Sequence, residues 1–228
     1  MKNIENIILR SLLLVVLLGG AMTLSAQKAG ETVKDADGNE YKTVVIGSQT
    51  WMAENLKTTK YANGNAIKNV TGKQEWVDCK SPAYCWYDNN SGNKNEYGAL
   101  YNWYAINAGN ICPKGWHVAT DSDWNTLENK VGGREKAAQA LREEGTKHWK
   151  DELDGAKNEY GFNLIAGGFR NPYGDFTWQT VDAGYWTATG KNQSISYAWN
   201  RTAYYYDEHM NRHEVQKCIG YSVRCVKD

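Results

Sequence analysis

The clearest alternation of apolar and polar positions lies over residues 41–53. Tyr41-Lys42-Thr43-Val44-Val45-Ile46 is rich in β-branched residues, Gly47-Ser48 is a glycine-first turn, and Gln49-Thr50-Trp51-Met52 resumes the extended pattern. Together they predict a β-hairpin. Asp37-Gly38-Asn39 and Asn63-Gly64-Asn65 mark turns on either side. The period changes after residue 120. Thr120 is a good N-cap, Asp123 stands at the capping-box position, and Asp121 and Asp123 suit the positive end of a helix dipole. Trp124, Leu127 and Val131 form one apolar stripe, and Gly132-Gly133 ends the helix. A second helix is expected from about Arg134 to Glu144, with Ala137, Ala138 and Leu141 inward and Gly145 closing it. Leu100, Trp103 and Tyr104 fall at helical spacing within 97–105 and suggest a short helix. Residues 78–96 read as irregular. Strands are expected at 162–166, 185–189, 196–206 and 219–226. A hairpin, then helices, then antiparallel strands argues for an α+β fold.

The first residues do not read as part of that fold. Lys2 and Arg10 precede an apolar run from Leu12 to Leu18, and small residues follow to Ser25-Ala26. This is the layout of a secretory signal peptide, residues 1–26. The apolar stretch is short of the roughly 20 residues a membrane helix needs, so no membrane span is expected in the mature chain. The mature chain of about 200 residues suits one domain, placed at 30–228. Its acidic and basic residues nearly balance, which does not favour nucleic acid or an anionic membrane surface. Export to the periplasm, the outer surface or the medium also permits disulfides among the five cysteines, Cys79, Cys85, Cys112, Cys218 and Cys225.

Candidate chemistry is sparse. His209 and His213 are four apart, but the segment falls between two expected strands, and no third ligand accompanies them. No metal site is therefore expected. His117 precedes the first long helix without a serine or cysteine nucleophile that stands out beside it, and reads as a residue that fixes the helix start by hydrogen bonding. The Asp88–Glu96 loop is rich in oxygen ligands, which calcium prefers, yet it lacks ordered carboxylate spacing and reads as a solvated loop. An enzyme needs a nucleophile, base or metal constellation. None stands out, so no catalytic residue and no cofactor are expected.

The aromatic composition is skewed, with 10 Trp and 15 Tyr against 3 Phe. Tyr and Trp offer a flat apolar face with a polar tip, which suits partly exposed surfaces. Trp51, Trp103, Trp116, Trp124 and Trp186 are expected in the core. Trp178 differs, because it closes a polar stretch, Asn171-Pro172-Tyr173-Gly174-Asp175-Phe176-Thr177-Trp178, read as a loop between strands. Tyr173 and Trp178 offer faces for stacking, and Asn171 and Asp175 offer directional hydrogen bonds, the mixture a polar ring-shaped ligand needs. Pro172 and Gly174 favour a turn that holds them outward. The candidate binding residues are Asn171, Tyr173, Asp175 and Trp178, with the His209–His213 segment as a neighbour. The competing reading folds Trp178 back onto the core, and solvent exposure decides between the two.

Several separate stretches follow one another along the chain: 35–41, Ile46-Gly47-Ser48-Gln49-Thr50-Trp51-Met52-Ala53-Glu54-Asn55-Leu56, 97–105, Cys112-Pro113, Gly167-Gly168-Phe169-Arg170, Tyr185-Trp186 and Ser222-Val223-Arg224-Cys225-Val226. In this they resemble the Fibrobacter succinogenes major paralogous domain family, a large group of exported bacterial proteins. The resemblance implies a single C-type-lectin-like domain with two helices and antiparallel strands, related to the sulfatase-modifying-factor fold. Ala119 stands where a proline is usual, and Ile165-Ala166 where Leu-Pro is usual. Cys112–Cys225, one cysteine in each of two family motifs, is the expected bridge; pairing among Cys79, Cys85 and Cys218 stays open. The sulfatase-modifying relatives use cysteine chemistry with a metal, but the bridge would occupy Cys225. The functional expectation is a non-catalytic exported module that binds a glycan or a cell-surface polymer. The alternative is a structural or protein-interaction component of the cell envelope.

Overall fold

A computed structural model describes residues 30–190 and 194–228; the expected signal peptide lies outside the described residues. The expected hairpin forms between Thr43–Ile46 and Gln49–Met52. Gly47 takes φ +63°, the left-handed value that the first position of a glycine-first turn requires. The hairpin is one half of a four-stranded antiparallel sheet. Gln49–Met52 pairs with the last strand, Cys225–Lys227, which pairs in turn with Trp116–Val118. The end of the chain is thus inserted between the first hairpin and the segment before the long helix, and the Cys112–Cys225 disulfide locks it there.

That helix spans Asp121–Lys130, and its capping box is complete. Thr120 Oγ1 accepts from the Asp123 N–H at 3.2 Å, and the Asp123 carboxylate accepts from the Thr120 N–H at 2.8 Å. Trp124 and Leu127 are buried on its inner face. The second helix spans Arg134–Leu141, shorter than the expected limit at 144, and buries Ala137, Ala138 and Leu141. The expectation of two helices is corrected to five among the described residues. Lys73–Asp78, Lys94–Tyr97 and Trp103–Ala108 add short helices of six, four and six residues. These are too short to carry a periodic signature. The expected helix over 97–105 forms later, because Asn102 caps it: its Oδ1 accepts from the Ala105 N–H at 3.1 Å.

The second large sheet is antiparallel and runs Asp182–Gly190, Tyr197–Tyr204, Asn211–Gln216. It meets the closing segment through the Tyr185–Ser222 bridge. The small sheets are Val33–Lys34 with Glu40–Tyr41, Gly167–Arg170 with Phe176–Gln179, and Lys68–Asn69, Ala83–Cys85, Leu100–Tyr101, whose first pair is parallel. The expected strand at 162–166 is not one. Phe162 and Leu164 are buried, but Asn163 takes φ +56° and breaks the extension.

Three hydrophobic clusters form the core of the described residues, and the two largest are built around aromatic rings. Trp51, Trp124, Phe162 and Tyr185 meet with ring centroids 5.1–5.8 Å apart. On the other side, Trp186 meets Tyr221 at 5.3 Å and its indole N–H donates to the Tyr101 carbonyl at 2.6 Å. The five tryptophans expected inside are buried. Irregular backbone between these elements leaves carbonyls without a ladder, and buried polar groups need partners. Buried arginines supply the donors. Arg170 donates to the carbonyls of Val70, Thr71, Gly72 and Gly174, and Arg224 to those of Met52, Phe162 and Asn163.

Candidate functional site

The four residues singled out in the sequence do not share one surroundings. Asn171, Tyr173 and Asp175 sit in the turn between Gly167–Arg170 and Phe176–Gln179. Asn171 Oδ1 accepts from the N–H groups of Tyr173 at 2.9 Å and Asp175 at 3.0 Å, so this oxygen serves the turn. Gly174 takes φ +80°, and a Cβ there would lie 2.7 Å from the Lys73 carbonyl oxygen. Asp175 pairs with Lys73 at 2.5 Å, which ties the tip to the Lys73–Asp78 helix. Tyr173 is 75% exposed.

Trp178 belongs to the strand Phe176–Gln179 rather than to the loop, and has other partners. It is 51% exposed. Its ring lies 5.5 Å from Phe169 and 6.4 Å from Tyr204, and Tyr204 stacks on Tyr206 at 5.7 Å with the planes 6° from parallel. Trp178 takes φ +62° and Thr180 φ +66°. These left-handed values in a bulky and a β-branched residue are outliers that cost of order 1–3 kcal/mol each. They belong to the tight turn from Trp178 to Val181, closed by the Val181 N–H donating to the Trp178 carbonyl at 3.0 Å. The turn leads directly into Asp182.

Asp182 is 1% exposed, and its Oδ1 has no hydrogen-bond partner among the described residues. Burial alone holds this carboxyl well above the usual carboxylate range. Burial, with the Asp182 carboxyl adding to it, pushes the Tyr204 hydroxyl up to about 12. Sequence reasoning missed Asp182, Tyr204 and Tyr206. Two signals were present: one acid inside the apolar run Val181-Asp182-Ala183-Gly184-Tyr185-Trp186, and the Tyr204-Tyr205-Tyr206 run at a strand end, where alternation puts Tyr204 and Tyr206 on one face.

The other candidate groups have structural partners. His209 is held by Asp207 at 2.5 Å and by Glu135, while His213 lies within Asn211–Gln216, 6.5 Å from the Tyr204 ring. No group of three or more potential metal ligands occurs among the described residues. His117 bridges Asp123 at 3.0 Å and Asp228 at 2.7 Å, joining the helix start to the chain end. In 88–96, Asn90 Oδ1 accepts from the Gly92 N–H and Asn93 donates to the Tyr87 carbonyl, so side chains close turns there. His148, unremarked in the sequence, is buried with its ring nitrogens 2.5 Å from Glu143 and 2.9 Å from Glu96. Cys79, Cys85 and Cys218 are free thiols; burial pushes the Cys85 thiol up to about 12, against the pull of Arg170, which suits an unreactive core residue. No helix among the described residues is long and apolar enough to cross a membrane.

Residues 44–227 match the Fibrobacter succinogenes major domain. No curated protein and no solved structure matches the chain.

Proposed function

The chain belongs to the Fibrobacter succinogenes major domain family, and from that premise we propose that it is an exported, non-catalytic binding module of C-type-lectin-like type that takes a glycan or a cell-surface polymer. The observation that carries this reading is the half-exposed Trp178, held at a strained backbone angle beside Tyr204 and Tyr206. Flat faces with polar tips suit the apolar face and hydroxyl rim of a sugar ring. The Asn171–Asp175 turn supplies a second exposed ring, Tyr173, at the edge of the same hairpin. Glycan-array binding by the mature chain tests the reading. Trp178→Ala should weaken the leading ligand about tenfold or more without shifting the melting temperature. Binding unchanged in Trp178→Ala would move the site elsewhere.

A second reading, a protein-interaction component of the cell envelope, has its own observation. Ile195 is 88% exposed and Tyr197 42% exposed at the start of the Tyr197–Tyr204 strand, on a different stretch from Trp178. Capture of an envelope protein that is lost in Ile195→Asp and kept in Trp178→Ala would favour it.

A further inference from the structure

Asp182 is enclosed by aromatic rings in a way its register explains. It stands directly opposite Tyr204 in the antiparallel pair, and directly opposed residues project from the same face. Two residues along the same strand, hence on that face, Gly184 has no side chain; a Cβ there would lie 2.3 Å from the Tyr221 ring. The Tyr221 ring therefore covers Gly184, beside the Asp182 position. Phe169 lies 5.1 Å from Tyr221 and 5.5 Å from Trp178, and Trp178 lies 6.4 Å from Tyr204. Tyr221, Phe169, Trp178 and Tyr204 thus make a chain of rings that starts over Gly184, beside Asp182, and ends at the residue opposite it.

A carboxyl left without a partner in such surroundings is costly, whereas the buried guanidinium groups of Arg170 and Arg224 are met by backbone carbonyls. We propose that Asp182 and its rings form a subsite for an organic ammonium group and, within the glycan reading on which this rests, for the free amine of an amino-sugar residue. When the ammonium enters, the carboxyl gives up its proton to solvent and pairs with it as a carboxylate, and aromatic faces attract the same cation through their quadrupoles. Both recognition elements coincide here. A neutral sugar gives the carboxyl no charged partner, so the selectivity is the ion pairing that only an amine gains. Trp178, half exposed, is the outermost ring of that chain, and the proposal requires its indole to move aside to admit the ammonium. The tight turn from Trp178 to Val181 joins the backbone under that ring directly to Asp182.

The test is calorimetric titration of the mature chain with three oligosaccharides of equal length: fully deacetylated glucosamine oligomers, their N-acetylated counterparts, and neutral glucose oligomers. Glucosamine oligomers should bind at least about tenfold more tightly, a step worth one salt-bridged contact. Asp182→Asn should abolish the preference and leave the affinity for neutral oligomers within about twofold. Equal affinity for all three, or a preference that survives Asp182→Asn, overturns the subsite and leaves the glycan reading standing. Tetramethylammonium, followed by tryptophan fluorescence, probes the subsite without a sugar. A saturable change lost in Asp182→Asn supports the subsite even where every oligomer fails, an outcome that removes the glycan reading alone; no saturable change overturns the subsite. If Asp182→Asn does not fold, Tyr204→Leu removes the ring opposite the carboxyl and should lower the preference for the amine.

Discussion

Arg224 and Asp182 are both buried ionisable residues next to the closing segment, and the fold treats them in opposite ways. Arg224 fills its donors: Nε on Asn55 Oδ1 at 2.8 Å, Nη1 on the carbonyls of Met52 and Phe162, Nη2 on that of Asn163. Its guanidinium also lies 4.5 Å from the centre of the Phe162 ring. It answers a need of the backbone, since residues 162–163 have no sheet partner to take those carbonyls. Asp182 opens a strand and is paired there with Tyr204, and its Oδ1 meets no donor. A buried charge that completes the hydrogen bonding of irregular chain is architecture. A buried acid that completes nothing, beside a ring chain whose outermost member is the half-exposed Trp178, is where the proposed ligand would be accommodated.

The comparison is broken hardest at the Arg224 side. Reducing the Cys112–Cys225 bridge, or replacing both residues by Ala, releases the last strand from its place between Gln49–Met52 and Trp116–Val118. A loop of this length implies a loss of about 4–5 kcal/mol, read as a fall in melting temperature of about 10–15 °C. A melting temperature unaffected by reductant would show that the sheet, not the bridge, holds the strand. Arg224→Met comes next. It keeps volume and removes the donors to three buried carbonyls, and should cost about 3–4 kcal/mol by denaturant unfolding. A loss below about 1 kcal/mol would mean that water can stand in for the guanidinium and that this corner is not sealed.

At Asp182 the sign reverses. Its folded carboxyl titrates above the unfolded value. The folded chain therefore keeps a proton that the unfolded chain has released, and stability falls as pH rises from about 4 through the folded value. The groups near it are Tyr204 and Tyr221, with Asp207 and His213 beside Tyr204. Asp182→Asn removes the ionisation, so it should stabilise the protein by about 1–2 kcal/mol at neutral pH and flatten that slope. Stabilisation together with lost ligand selectivity is the trade-off expected of a binding residue. Destabilisation by Asn would instead assign Asp182 a structural partner and end the contrast with Arg224.

Which parts were legible in the sequence follows from range. The Gly47 turn and the Thr120–Asp123 box are settled within a few residues, so spacing revealed both. The stretch 162–166 misled because its apolar residues are buried as a strand's would be, while Asn163 and the carbonyls bound by Arg224 make it irregular. Burial was legible there; pairing was not. At the site, Trp178 was visible as an aromatic beside a polar turn. Its grouping with Tyr204 and Asp182 depends on which strands pair and in what register, and local sequence does not encode that. The turn residues Asn171 and Asp175 carried the expected polar chemistry but direct part of it to the turn itself and to Lys73.

The smallest effect concerns His117, where the chain end meets the helix start. Burial pulls its imidazole down, but the carboxylates of Asp228 and Asp123 outweigh it and the group titrates above its ordinary value. Asp123 moves the other way: burial raises it, and the hydrogen bonds from Thr120 and His117 more than compensate and lower it. The raised histidine contributes stability that is complete below its unfolded value near 6.5 and is lost as pH rises through its folded value. The lowered aspartate contributes above its unfolded value near 3.9, and loses that as pH falls through its folded one. The pair is therefore best formed between those limits. Because His117 is partly exposed, solvent screening keeps the contribution under about 1 kcal/mol. His117→Gln should keep one hydrogen bond to the helix start and remove the alkaline loss, seen as a flatter melting temperature between pH 6 and 9. The same slope in the variant as in the parent would assign the pH dependence to Asp182, and Asp182→Asn in the His117→Gln background separates the two.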